Sequence, residues 1–479
     1  MKNNLLQNYL LVFLLVGCTK LNAALEDSTQ KMLSVSEYIE IVKKYHPVAK
    51  QAHLIPEQAK AELLIARGGW DPYLSSVYDR KAYDGTNYYS YFENKISVPV
   101  WYGIEVNAGY DFVYGNIVNS ESKLPGNGLG SLGISVPLLK NMLMDKQRAE
   151  LRKAQIFREA SEQQRLIIMN DLLLDALKAY YNWSYAYYEY EIYQEATTVA
   201  LLRFKATVQS NLFGDRAAID TTEALTQLQS RQFQLNDARL LFLNTGLELS
   251  NFLWTENEQP IVFDSSVVPT PLNSDFIQQL LLLTKLDELS SQLLLTHPVL
   301  LNYNFKLRQL EIERRLKIEH LKPSLNAKYN LLSERFNFQS TAGLIFANNY
   351  KFGVSLSMPL TFMQGRGALK LTKLEIKNTQ LAIDYKKQEL MNKLKSYFNE
   401  LINLQQQTKL YQETVEGYKT LFEGENTRLN NGESSLFLVN ARENRYLDSQ
   451  VKLRKLQAEY FKIEAALKWT IGNISSQVY

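Results

Sequence analysis

The side chains here that could do chemistry are four histidines, one cysteine and 50 carboxylates. A metal site needs several ligands converging at recognisable spacings. His46, His53, His297 and His320 have no such companions, and a lone Cys18 can build neither a thiolate cluster nor a disulfide. No glycine loop of the phosphate-cradling kind, no Gly-x-Ser-x-Gly nucleophile turn and no dinucleotide fingerprint occurs. The expectation is therefore no catalysis, no cofactor and no metal. His46 and His297 each stand immediately before a proline at the start of helical text, which points to a structural role near helix ends.

Those two histidines belong to a longer internal echo, about 251 positions apart. His46-Pro47-Val48 runs on to Asp71-Pro72-Tyr73-Leu74, as His297-Pro298-Val299 runs on to Lys322-Pro323-Ser324-Leu325. Glu62 answers Glu313 and Tyr78 answers Tyr329 at the same offset. A helix-start signal precedes each copy, with Ser36 in the first and Asp287 in the second able to cap free N–H groups. Further on, Ser135-Val136-Pro137-Leu138 answers Ser357-Met358-Pro359-Leu360, and Gly214-Asp215 answers Gly432-Glu433. So long a period means two halves of one architecture rather than a solenoid.

Two kinds of text position these landmarks. Strand text alternates with period two: Ile104, Val106, Ala108, Tyr110 and Phe112 against Glu105, Asn107, Gly109 and Asp111; Leu132, Ile134 and Val136 against Gly133 and Ser135; Phe352 to Phe362 likewise. Such segments suit either the lipid and lumen sides of a membrane barrel or a soluble sheet with one covered face. A further stretch, Tyr88 to Val100, has strand character in the first half alone. Helix text is unusually long. Leu138 to Phe213 and Ala368 to Glu416 contain neither glycine nor proline. Along them a four-three rhythm of apolar residues, Leu172, Ala176, Ala179, Trp183, Ala186 and Leu390, Leu394, Tyr397, Leu401, Leu404, is coiled-coil seam text. Each run ends near a glycine, and a return helix follows (216–254 and 434–469). Shorter helices are expected over 57–67 and 311–321.

Composition sets the compartment and the class. A net charge of +3 without a basic cluster argues against nucleic acid. Tyrosine is frequent, at 29 residues. The N-terminus carries a basic Lys2 and a short apolar run from Leu10 to Val16, the layout of an export signal. It ends in Leu15-Val16-Gly17-Cys18, which resembles a bacterial lipobox, implying an acylated Cys18 as first residue of the mature chain. The alternative is ordinary cleavage after Ala23 or Ala24. No later apolar run reaches about 18 residues, so a membrane could be crossed only by strands.

Strand pairs with open edges cannot sit in lipid, and a few strands cannot close around a passage. Several copies must then share one barrel, with the long helices continuing it as a tunnel. At this point the twofold His-Pro/Pro-x-Leu series, the Ser-Val-Pro-Leu and Ser-Met-Pro-Leu strand ends, Gly365-Arg366-Gly367 and the glycine turns followed by Ala224 and Ala441 resemble the TolC family of outer-membrane efflux ducts. The resemblance implies a mostly helical, internally duplicated protomer with membrane β-hairpins, four strands from each of three copies forming one barrel above a helical tunnel. It also implies a periplasmic adaptor docking at the helix turns, Asn211, Leu212, Phe213, Gly214, Asp215 and Leu429, Asn430, Asn431, Gly432, Glu433, Ser434. An inner-membrane pump would act beyond that adaptor. Glu423 and Glu425 are the candidates for an acidic ring at the tip. The expected organisation is a leader over 1–17, an anchor over 18–33, repeats over 34–254 and 284–472 joined by a linker over 255–283, and a tail over 473–479. The competing reading is an exported coiled-coil spacer without a transport role.

Overall fold

The computed structural model describes residues 32–115, 118–120, 123–272, 286–334, 349–472 and 474. Cys18 and the leader expected over 1–17 lie outside them, as does most of the expected tail over 473–479. In chain order the elements are β1 (Met32–Leu33), α1 (Val35–Tyr45), α2 (Pro47–Arg67), β2 (Tyr73–Tyr83), β3 (Thr86–Pro99), β4 (Glu105–Tyr114), β5 (Leu129–Pro137), α3 (Lys146–Leu212), α4 (Ala218–Ser250), β6 (Val268–Pro269), α5 (Leu286–Thr296), α6 (Pro298–Glu319), β7 (Ser324–Ser333), β8 (Tyr350–Ser357), α7 (Met363–Asn430) and α8 (Leu436–Ile471). Mostly helical and visibly duplicated, the chain repeats the order short helix, helix, strands, long helix, return helix.

Local chemistry explains where the helices begin. The His46 imidazole Nδ1 accepts the Val48 N–H at 3.2 Å, and His297 does the same for Val299 at 3.2 Å, each with a proline in the first turn. A histidine is here doing the work usually given to Ser or Asp, satisfying an orphan donor while proline needs none. Ser36 is not the cap of α1; that role falls to Ser34, whose Oγ accepts the Glu37 N–H at 3.2 Å. Asp287 lies inside the first turn of α5 rather than at its cap. The shorter helices run further back than expected, α2 through Pro56 to Pro47 and α6 to Pro298.

Helices α3 and α7 hold 67 and 68 residues, so each spans about 100 Å at 1.5 Å per residue. Helix α7 extends beyond its glycine-free stretch at both ends, passing through Gly365, Gly367, Gly417 and Gly424 to the turn expected at 429–434. Gly365 has a packing reason: a Cβ there would meet Leu321 Cδ2 at 2.8 Å. The seam residues are buried as their rhythm predicts, Tyr397 only partly. Two cores result. One joins Tyr38, Ala49, Leu173, Tyr180, Trp183, Phe242 and Ala465. The other joins Leu289, Leu293, Leu300, Leu390, Leu394, Leu401 and Tyr460. The short parallel pair β1–β6 ties the inter-repeat segment to the start of the first half, with the Tyr180 hydroxyl donating to the Leu33 carbonyl at 2.8 Å.

Among the described residues the main sheet has six strands in the order β2-β3-β4-β5-β7-β8, every neighbour antiparallel. This sheet holds two strands more than the four per protomer that the resemblance implies for the barrel. The stretch 88–100 is paired on both sides, between β2 and β4. Strand β8 stops at Ser357, short of the Pro359-Leu360 that the alternation suggested.

Candidate functional site

Both helix reversals are built from the same hydrogen bonds. At the end of α3, Gly214 donates to the Asn211 carbonyl at 3.0 Å and Asp215 to Ser210 at 2.9 Å. At the end of α7, Gly432 donates to Leu429 at 3.1 Å and Glu433 to Arg428 at 2.9 Å. This double closure is the Schellman motif, which satisfies orphan carbonyls and requires a left-handed residue. The glycines have φ of 81° and 79°. A side chain at that φ costs about 1–2 kcal/mol, so glycine is dictated by the turn itself. Nothing lies within 4 Å of where a Cβ would stand on either, so both turns project into open space.

The surroundings differ. Asn211 Nδ2 reaches across the first turn to the Arg216 carbonyl at 2.8 Å. In the second, Ser434 donates to Glu425 Oε1 at 2.5 Å. Glu425 is buried and has Arg428 and Arg442 at 3.7 and 3.9 Å, so its carboxylate is occupied inside the hairpin. Glu423 is exposed. Around the turns stand apolar side chains that nothing covers: Leu212, Phe213 and Ile219 on the first hairpin are more than 70% exposed, and Phe437 on the second is 66% exposed. Between α4 and α8 runs a groove of about 490 Å³ lined by Ile219, Glu223, Gln227, Phe437, Asn440 and Ala441. Ala224, by contrast, is buried.

A polar clasp behind the turns was not foreseen from sequence. Arg203 on α3 makes a two-pronged pair with Glu443 on α8, at 2.8 and 3.1 Å, and also donates to Asn440 at 3.2 Å. Arg231 on α4, 2% exposed, lies 3.8 Å from Glu443 and hydrogen-bonds Asn444 and Gln234. Burial draws the Arg231 guanidinium below its ordinary range, while Glu443 works against that shift. Asn440 donates onward to Glu223 at 3.1 Å, and Gln227 to Asn444 at 3.0 Å. One carboxylate thus holds guanidinium groups from both helices of the first hairpin to the second. Its residues are separated by more than 200 positions, so no local spacing signals it.

Among the described residues no helix is long and apolar enough to cross a membrane, and no cluster of His, Cys, Asp or Glu could hold a metal. Of the sheet, one face is apolar and exposed: Leu74, Tyr78, Ile96, Leu132, Phe352 and Leu356 are between 41 and 71% accessible. The opposite face carries Ser97, Asn107, Asn330, Lys328 and Lys351.

Residues 289–473 match the model of the outer membrane efflux protein family. No curated protein matches the chain by sequence. Among solved structures, the Neisseria gonorrhoeae MtrE outer membrane channel is 15% identical, with a TM-score of 0.66 over 91% of this chain and 88% of that one. The Vibrio cholerae outer membrane protein VceC is 13% identical, TM-score 0.63, over 91% and 95%. The Campylobacter jejuni CmeC outer membrane channel is 16% identical, TM-score 0.62, over 91% and 85%. The second half of this chain is thus similar to an outer membrane efflux protein domain, and nine-tenths of the chain shares the fold of those three solved structures.

Proposed function

We propose that the protein is the outer-membrane exit duct of a tripartite efflux or secretion system, a homotrimer that conducts its cargo passively from periplasm to exterior. The observation that carries this is the union of an apolar-faced, open-edged sheet with helix hairpins about 100 Å long. In lipid the sheet edges must be paired, so copies share a barrel; helices of that length far exceed the ~30 Å core of a bilayer and so reach across an aqueous compartment. Outer-membrane location follows from the same family and fold likeness. Acylation of Cys18, giving a lipid-anchored mature chain, fits its place in the leader.

The projecting turns, with Leu212, Phe213 and Phe437 exposed around them, are the docking tip for a periplasmic adaptor, through which an inner-membrane pump supplies the energy. Exposed aromatic and aliphatic side chains beside bare glycine backbone make a surface that a partner helix can approach closely. Of the acids considered for a tip ring, Glu423 has the necessary exposure, while Glu425 braces the turn. Gly214→Val and Gly432→Val are the direct test. Trimers should still be recovered from the outer membrane while export falls; unchanged export would remove the docking role. A mature chain that stays soluble and monomeric without detergent would instead favour the spacer reading.

A further inference from the structure

Among the described residues, the strands β3 and β4 have no counterpart in the second half. Strands β2 and β7 each follow a short helix, β5 and β8 each precede a long one, and β3–β4 is a hairpin inserted between β2 and β5. It could be a lid, a plug or part of the wall, and its register decides among these. One continuous row across the sheet reads Leu74, Ile96, Ala108, Leu132, Leu331, Tyr350, apolar in all six strands. The row beside it on the opposite face reads Tyr73, Ser97, Asn107, Gly133, Asn330, Lys351. The inserted hairpin therefore sorts its side chains to the same two faces as the other four strands. Its polar face also carries the Lys95–Glu105 pair at 3.5 Å.

The hairpin spans the full height of the sheet. Its base, at Trp101–Gly103, sits beside the helix starts: Trp101 stacks on Trp70 at 5.2 Å and the Arg148 guanidinium lies 4.9 Å from the Tyr102 ring. Towards the far end Tyr78, Phe92, Phe112 and Tyr114 group on the apolar face. Aromatic residues at both ends of an apolar band are the mark of a membrane-spanning wall.

The edges are made to close on copies of this chain. Every residue of β8 is exposed, as are all but one of β2, and each has a single neighbour. Strand β2 leads away from the helices and β8 leads back to them, so β8 of one copy beside β2 of the next continues the antiparallel pattern around a ring.

We infer that all six strands of each protomer enter the shared wall, so that three copies form an eighteen-stranded barrel, wider than the twelve-stranded one expected from four strands per protomer. This rests on the trimeric-duct reading above. At equal strand tilt the diameter rises about 1.5-fold, since it grows roughly linearly with strand number. Barrels of that size leave an aqueous channel rather than a filled interior. The outer mouth is then broad while the tunnel below keeps the same complement of long helices, and its lumen is lined in part by the Lys95–Glu105 pairs.

Electron cryomicroscopy of the full-length protein in a lipid nanodisc tests the count directly. Eighteen strands around a threefold axis, with residues 86–114 in the wall, is the expected result. A twelve-stranded wall, whether from three copies with the hairpin folded aside or from two copies using all six strands, overturns it. Single cysteines provide a second measure, read with a water-soluble, membrane-impermeant maleimide on intact cells. Glu93→Cys and Asn107→Cys should label and Phe92→Cys and Val106→Cys should not. Lys328→Cys against Tyr329→Cys reports on β7. If β7 alternates and the hairpin does not, the wide barrel fails and the duct survives. If neither alternates, both fail.

Discussion

The two halves of the molecule share a plan and fill it differently. Their long helices differ by one residue in length and end in the same pair of turn hydrogen bonds. Yet the first half packs around aromatic side chains, Tyr38, Tyr180, Trp183 and Phe242, whereas the second packs around leucines at 289, 293, 390, 394 and 401. The first half also supplies four strands to the main sheet against two from the second. Length and reversal geometry are shared, as a common docking tip of the kind proposed above would require. Core composition is not, since any set of side chains of suitable volume closes a seam.

That contrast can be broken first at the cores. Trp183→Ala should cost about 3–5 kcal/mol, at the upper end of what truncating a buried side chain costs, and Leu394→Ala about 2–5 kcal/mol. Thermal unfolding in detergent, monitored by circular dichroism, reads the difference; a larger loss at Leu394 would mean that the leucine seam is the less adaptable. Removing the link between halves should be as damaging as the first of these. Glu443→Ala leaves Arg203 and Arg231 without their shared carboxylate and should cost about 3–5 kcal/mol, as is usual when one partner of a buried pair is removed. Adding Arg203→Ala should restore part of that loss, measured as a double-mutant cycle.

A smaller asymmetry separates the paired histidines. Burial, and then the nearby Lys386, hold His297 down to about 4 from its ordinary 6.5, and its Nε2 has no partner. His46 is lowered too, chiefly by burial, with a hydrogen bond to Asn251 opposing. Folding therefore favours the neutral ring. Its contribution is whole above pH 6.5 and is lost as pH falls towards 4, by up to ~3 kcal/mol. His297→Asn keeps a capping side chain and should flatten the fall in melting temperature between pH 6.5 and 4. An unaltered slope would place the titration elsewhere. The smallest effects belong to the turns: Gly214→Ala and Gly432→Ala should each cost about 1–2 kcal/mol, and equally, because their φ values agree. Unequal losses would show that Asn211 or Ser434 reinforces one turn more than the other.

The sequence displayed whatever repeats or has a short period. The His-Pro caps, the glycine turns, the seam positions and the alternation of β4 and β5 could all be read, because each depends on neighbours within about a turn of helix or a pair of strand residues. Ser34 was missed in favour of Ser36 because two serines flank the start and either has the right chemistry. The glycine-free stretch marks only the middle of helix α7, since glycine usually weakens a helix by about 1 kcal/mol. Tertiary contacts, such as the close approach of Leu321 to Gly365, outweigh that. The place of β3 depends on partners in β2 and β4, and the clasp on residues in three helices. Neither has a local signature.

The clasp stands apart from the turn it supports. Arg203 lies more than two helical turns behind Gly214, and Glu443 a similar distance beyond Gly432. Identity and integrity at this end are thus held by separate sets of residues. On the docking role proposed above, Leu212, Phe213, Ile219 and Phe437 could be exchanged wholesale, retuning what the turns answer to, while the lock behind them keeps the hairpins shut together. A lineage can change its companions without relearning how to fold.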